Sequence, residues 1–210
     1  MSTVRRALQA LALSAAAVSL SACISLFPKE DPSQLYRFDG APAESGTGAT
    51  ASAESFGIVR VGGGFVQAAS GDRILAVTGD HVAYIADARW VSPASVLFNE
   101  AVHRAFDSNA GAARLVSRGE VRKAEYALRI DVTRFEAVYD RSQKAAPNVI
   151  VGLRLTLVKT DDRSLAGSKL IETQVRAEDN RVSAIVRAFD EAVGQALGQT
   201  VEWTNARGAT

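Results

Sequence analysis

The chain has 210 residues and a formal net charge of +1, and its composition, 47% hydrophobic and 22% charged, is that of an ordinary globular protein. The near-neutral charge excludes the strongly basic surface typical of a nucleic-acid binder, so no nucleic acid is expected among its partners. The single cysteine, Cys23, excludes an internal disulfide framework and a cysteine-based metal cluster.

Residues 1–22 have the features of a secretory signal peptide. Arg5 and Arg6 form a positive start, and the apolar stretch that follows is too short for a stable membrane span. The letters "LSAC", which end at Cys23, resemble the lipobox of bacterial lipoproteins. In such signals the thiol receives a diacylglyceryl group, the peptide is cut before the cysteine, and the new amino terminus is acylated. Two or three acyl chains hold a protein stably to a membrane, whereas one holds it only marginally.

We therefore predict that Cys23 carries a covalent lipid anchor and that the protein needs no other cofactor. Two alternatives are an ordinary secretory signal with an incidental cysteine, and a retained helix. Residue 24 is isoleucine, whereas an aspartate at this position retains lipoproteins in the inner membrane of many Gram-negative bacteria. The prediction is an outer-membrane lipoprotein that faces the periplasm.

Residues 23–55 are predicted to be a lipidated tether and linker. Residues 40–55 are rich in Ala, Gly, Ser and Thr, which cannot bury enough apolar surface to offset the entropy lost on ordering. Tyr36 and Phe38 alternate with polar residues, and an edge strand could begin there. The folded domain is predicted to span residues 56–205.

The first half of this domain predicts three strands and a helix. The strands are placed at residues 56–61, 73–78 and 82–86. Ser92 is predicted to be the N-cap of the helix and Pro93 its first helical residue. Apolar residues at helical spacing continue to about residue 109.

The second half predicts four strands and a final helix. The strands are placed at residues 113–118, 126–139, 149–157 and 169–176, and the helix at about 182–203. A switch in the alternation of the second of these strands predicts a β-bulge near Thr133-Arg134. Asp179 or Asn180 is a candidate helix cap, and the apolar stripe of the helix indicates a core face rather than a lipid groove. The element order predicts an α+β fold, a largely antiparallel sheet with two helices packed on one face.

Few residues are candidates for chemistry. His81 and His103 have no metal-binding partner at helical spacing, and surface positions are the simpler interpretation. The run Gly62–Gly64 is not followed by Lys-Ser/Thr, which favours a loop or bulge over a phosphate loop. The pair Asp161-Asp162 is typical of a turn. We predict no catalytic residue, no metal ligand and no enzymatic activity, with a periplasmic enzyme kept as an alternative.

Trp90 precedes the first predicted helix and has two interpretations. Tryptophan is favoured at protein interfaces, so its ring could contact a partner. Alternatively it packs over the start of the helix, which is the simpler interpretation.

Several segments together resemble a known family. They are "QLYRFDG" after the lipobox, "GDRILAVTGDHVAYIADARWVSPASVLFNEAVHRAF", "AEYALRIDVTRFE", "VGLRLTLV" and the terminal amphipathic helix. This arrangement resembles the ABC-type transport auxiliary lipoprotein family, which includes the lipoprotein of the paraquat-inducible intermembrane transport system. The resemblance matches Tyr36 and Trp90 to family positions, and both are taken as candidate partner-binding residues.

The resemblance implies a non-catalytic subunit of a lipid-moving machine. In such systems an inner-membrane permease and ATPase work with Mce-domain proteins that cross the periplasm. The lipoprotein would dock the Mce assembly at the outer membrane, and it would be a homo-oligomer if it follows the family members that form rings. The alternative is an assembly or chaperone lipoprotein of another envelope machine, for lipopolysaccharide delivery or a secretin.

Overall fold

The computed structural model describes residues 33–40, 55–116 and 123–208. The predicted signal peptide, Cys23 and residues 41–54 of the linker lie outside these ranges, so those predictions stay predictions. The described residues form eight strands, two α-helices and a single turn of 3-10 helix at Gln67–Ala69. In chain order the strands and α-helices are β1 (Gln34–Tyr36), β2 (Phe56–Val61), β3 (Arg73–Thr78), β4 (His81–Trp90), α1 (Ala94–Asp107), β5 (Ala113–Leu115), β6 (Tyr126–Val138), β7 (Asn148–Lys159), β8 (Leu165–Arg176) and α2 (Val182–Gly208).

β6 is the central strand of the sheet. β7 runs antiparallel along one edge of β6, and β8 runs antiparallel to β7. The other edge of β6 is shared, because β2 pairs with its first four residues and β3 with its last two. β5 extends the sheet beyond β2, while β4 and then β1 extend it beyond β3. The sheet therefore divides into two branches on this side of β6.

The α+β class is confirmed, and the three longest pairings of the sheet are antiparallel. The shorter pairings in the N-terminal branches are parallel: β1 with β4, β2 with β5, β2 with β6, and β3 with β6. Parallel neighbours need crossover connections, and α1 lies within the connection that returns the chain from β2 to its parallel neighbour β5.

Two bulges reshape the long strands. In β6 the register shifts between Val132 and Arg134, which confirms the predicted bulge and turns Phe135 to the same buried face as Val132. β4 is longer than predicted because it continues through a second irregularity, where Asp87 adopts a φ of 54°. A bulge of this kind lets a strand bend without ending.

Both helices pack on one face of the sheet. α2 covers β7 and β8, and α1 contacts α2 and β5. The apolar stripe of α2 lies in the core, as the sequence indicated. Its fully buried members include Ile185, Phe189, Val193 and Leu197.

The predicted start of α1 is wrong by one residue. The helix begins at Ala94 with Pro93 as its N-cap, and no side chain caps it. The first N–H groups of the helix need acceptors. Backbone carbonyls of the preceding loop accept them instead, since Ala94 donates to Gly71 at 2.8 Å and Ser95 to Ser70 at 3.3 Å.

The folded domain also begins earlier than residue 56. β1 pairs with β4, and Phe38 is buried in the core, although both were assigned to the linker. The carboxylate of Asp190 in α2 accepts the N–H groups of Asp39 at 2.6 Å and Gly40 at 2.7 Å. These contacts fix residues 33–40 to the domain, so the predicted tether is interrupted by a strand.

Candidate functional site

Trp90 is a core residue. It is 2% exposed, and its ring makes edge contacts with Phe38 at 5.1 Å and Phe189 at 5.4 Å between ring centroids. Aromatic rings in this arrangement stabilise each other beyond the area that they bury. The buried ring offers no surface to a partner, so this structure does not fit a direct partner contact by the Trp90 side chain.

Tyr36 lies in β1 at an edge of the sheet. It is half-buried, and its hydroxyl donates a hydrogen bond to the side-chain oxygen of Gln34. The neighbouring Leu35 is 64% exposed. Within the described part of the chain β1 pairs only with β4, and the backbone along the open side of such an edge is a template for pairing with another chain. The partner-binding role of Tyr36 stays a prediction.

The remaining residues singled out in the sequence occupy surface positions. His81 begins β4 and is exposed, 3.7 Å from the carboxylate of Asp80, and His103 lies on the exposed face of α1. Asp161-Asp162 form the turn between β7 and β8, as predicted, and the Asp162 carboxylate accepts the N–H of Ser164 at 2.8 Å. The residues described here include no group of three or more His, Cys, Asp or Glu that could hold a metal ion.

The run Gly62–Gly64 forms the predicted irregular segment, which carries the chain along β6 after β2 ends. A Cβ on Gly63 would lie 1.9 Å from the carbonyl oxygen of Ile130, so only glycine fits this close approach. Gly64 donates its N–H to the Asp131 carboxylate at 2.7 Å and accepts the N–H of Val132 at 2.8 Å.

A cleft of about 710 Å³ opens between this glycine segment and α1. Its polar side chains are Arg60 from β2 and, from α1, Asn99 and His103. Asn99 and His103 are four residues apart and therefore lie on the same side of the helix. The other lining residues are Val59, Val61, Gly62, Gly63, Leu115 and Val116. We call this the Arg60 cleft.

Arg60 is the dominant charge in the cleft. Its Nη2 donates to the Asn99 side-chain oxygen at 2.6 Å, and no ion pair joins it to a carboxylate among the described residues. Burial lowers the pKa of its guanidinium below the usual value. The sequence reasoning missed this residue. The available signal was one arginine within the otherwise apolar strand "FGIVRV".

No helix in the described ranges has the length and apolar character that crossing a bilayer requires.

The fold resembles that of known crystal structures. Protein XCC0632 from Xanthomonas campestris superposes with a TM-score of 0.70 at 22% sequence identity, over 84% of this chain and 97% of that one. The crystal structure of an uncharacterized protein superposes with a TM-score of 0.63 at 12% identity, over 83% of this chain and 99% of that one. At these identities the similarity shows a shared fold. None of the curated proteins matches the sequence.

The sequence also matches a family model directly. The family is described as the ABC-type transport auxiliary lipoprotein component, and its model matches residues 36–201. The match starts at the last residue of β1 and ends within α2, so it covers β2 to β8, α1 and most of α2. The chain therefore belongs to the ABC-type transport auxiliary lipoprotein family.

Proposed function

We propose that this protein is a non-catalytic, lipid-anchored subunit of an Mce-type ABC lipid transport system, and that it docks the periplasmic Mce assembly at the outer membrane. The observation that carries the proposal is the family match over residues 36–201. The lipobox-like sequence that ends at Cys23 supports the anchor, and Ile24 supports the outer membrane as its location. The resemblance to ring-forming family members supports self-association.

We propose the open edge at β1 as the docking surface. β1 combines a strand edge that no other described strand pairs with, the exposed side chain of Leu35 and the half-buried ring of Tyr36. An extended segment of a partner can add to such an edge through main-chain hydrogen bonds, while the side chains supply specificity.

Photo-crosslinking in intact cells tests this surface. A benzoylphenylalanine placed at Leu35 is expected to form an adduct with an Mce-domain protein, identified by mass spectrometry after detergent extraction. Leu165 is the matched control, because it is 65% exposed and lies in β8 at a different edge of the sheet. The control position is expected to give no such adduct.

Deletion of the gene gives a second readout. We expect the deletion strain to have an outer membrane that is more permeable to antibiotics and detergents. An unchanged barrier together with no Mce adduct from Leu35 would contradict the proposed function. Adducts with another envelope machine would favour the assembly-factor alternative instead.

A further inference from the structure

The Arg60 cleft contains a positive charge that the described residues do not balance. Taking a guanidinium partly out of water is unfavourable unless a charge or hydrogen bonds compensate it. Among the described residues Arg60 receives one compensating contact, the amide oxygen of Asn99 at 2.6 Å. A neutral amide oxygen is a weaker acceptor than a carboxylate.

Two acidic residues near the cleft, among those that the structure describes, are engaged elsewhere. Glu100, next to Asn99 in sequence, turns to Arg104, with 3.8 Å between carboxylate oxygen and guanidinium nitrogen. Asp131 contacts the glycine segment but is paired with Arg129 at 2.9 Å. The described lining of the cleft contains no Asp or Glu.

The remaining hydrogen-bonding capacity of the cleft consists mainly of donors. A guanidinium carries five N–H groups in a fixed fork, and the contact to Asn99 uses one of its nitrogens. Asn99 accepts with its oxygen and keeps its NH₂ group, while His103 becomes a second cation when protonated. Gly62 has open space where a Cβ would be, so a ligand can approach the backbone closely there.

We propose that the Arg60 cleft binds an oxyanion of the phosphate type. The guanidinium fork matches the oxygens of a phosphate, and Asn99 and His103 supply further donors on the same side. The same chemistry is presented by free inorganic phosphate and by the headgroup phosphate of a lipid, and the lipid source rests on the proposed function.

Isothermal titration calorimetry on the purified lipidated protein in dodecyl maltoside tests the proposal. The two probes are inorganic phosphate and dihexanoylphosphatidylglycerol below its micelle concentration, with dihexanoylglycerol as the uncharged comparison. We expect a phosphate-bearing probe to bind, and the affinity to fall as salt is added because the contacts are ionic. Binding of both probes supports a general oxyanion site, and binding of the lipid alone supports a headgroup site.

Two cleft variants and one control separate the site from a general effect of charge. Arg60→Gln is expected to weaken binding by roughly tenfold or more, since a charge-assisted hydrogen-bonded contact is lost. Arg141→Gln removes one positive charge from an exposed residue at the other end of β6, and it is expected to bind as the parent does.

The Asn99→Asp variant separates loss of anion binding from loss of stability. It places a carboxylate against Arg60, so it is expected to abolish anion binding while the melting temperature stays the same or rises. Loss of binding without loss of stability excludes unfolding as the cause. The proposal is overturned if no phosphate-bearing probe binds the parent protein, or if Asn99→Asp and Arg60→Gln bind as the parent does. Failure here with an Mce adduct from Leu35 would leave the docking proposal intact.

Discussion

The ion pair between Asp140 and Arg176 joins the loop after β6 to the end of β8. Both guanidinium Nη atoms donate to the carboxylate, each at 2.6 Å, and Nη1 also donates to the carbonyl of Ala146 at 3.1 Å. The hydrogen bond from Arg176 lowers the pKa of Asp140 from 3.8 to about 2. Bidentate geometry gives a surface ion pair a better prospect of contributing to stability than a single contact does.

This pair predicts a pH dependence with a definite sign. Because the pKa of Asp140 is lower in the folded state, its stabilising effect is complete above about pH 4 and is lost as the pH falls towards about 2. We expect Asp140→Asn to lower the free energy of unfolding at pH 6, and the difference from the parent to shrink between those pH values. Urea unfolding at several pH values measures it. In an Arg176→Gln background the pH-dependent part should vanish, and a difference independent of pH in the parent background would contradict the prediction.

Single residues show what sequence patterns cannot decide. A tryptophan before a helix is compatible both with a partner surface and with a core. Trp90 lies in the core because three rings surround it. They are Phe38 after β1, Phe135 in β6 and Phe189 in α2. The surroundings of Arg60 could not be predicted from a local pattern either. Its environment depends on Asn99 and His103 of α1 lying beside β2, and no spacing in the sequence carries that information.

At the scale of elements, the glycine segment determines how β2 and the loop after it follow β6. Gly62 and Gly63 are adjacent but differ in their surroundings. A Cβ on Gly63 would collide with backbone atoms of Ile130, whereas a Cβ on Gly62 would meet no heavy atom within 4 Å.

We therefore expect opposite results from two matched substitutions. Gly63→Ala should lower the free energy of unfolding by about 1–3 kcal/mol, because β6 or the segment must shift to admit the methyl group. Gly62→Ala should be neutral or stabilise by up to about 1 kcal/mol, because it restricts the unfolded chain. Urea unfolding of the two purified variants decides between these outcomes, and equal effects would show that the close approach to Ile130 is not a constraint.

Local patterns were sufficient for most elements of this fold. Short apolar runs bounded by turn residues predicted β2 and β3 with the observed bounds, and the switch in alternation located the bulge in β6. It could not predict the parallel pairings, because these depend on where crossovers return the chain. The predicted Ser92 cap failed for a related reason, since the loop carbonyls that replace it come from a segment more than twenty residues earlier.

At the scale of the whole molecule, β1 divides the predicted linker, residues 23–55, into two segments that connect different things. Ser33 follows Cys23 by ten residues, which reach at most about 35 Å when fully extended. Residues 41–54 connect two fixed points of the fold, Gly40 and Ser55, and so lie between strands instead of between anchor and domain. If Cys23 carries the predicted lipid anchor, residues 24–32 are the segment that sets its distance from the domain.

Two insertions of the same length test this division. About twenty Gly/Ser residues inserted within residues 24–32 are expected to impair rescue of the outer-membrane barrier in a deletion strain, because the domain can then sit farther from the membrane. The same insertion within residues 41–54 is expected to preserve rescue, since lengthening an internal loop costs little free energy. Cys23→Ser is the null control and should release the protein from the membrane fraction. Equal rescue by both insertions would contradict a role for tether length.

The attachment of β1 also determines how the domain would withstand tension. If the chain is anchored at Cys23 and held by a partner across the periplasm, a pull enters the domain through a strand of only three residues. That strand is secured immediately behind by the buried ring of Phe38, by the two N–H groups that Asp190 accepts, and by the carbonyl of Asp39, which accepts from Arg104 at 2.9 Å. Force on the anchor is thereby passed to both helices and the aromatic core, so that even after β1 separates from β4 the chain cannot be drawn out further without extracting Phe38.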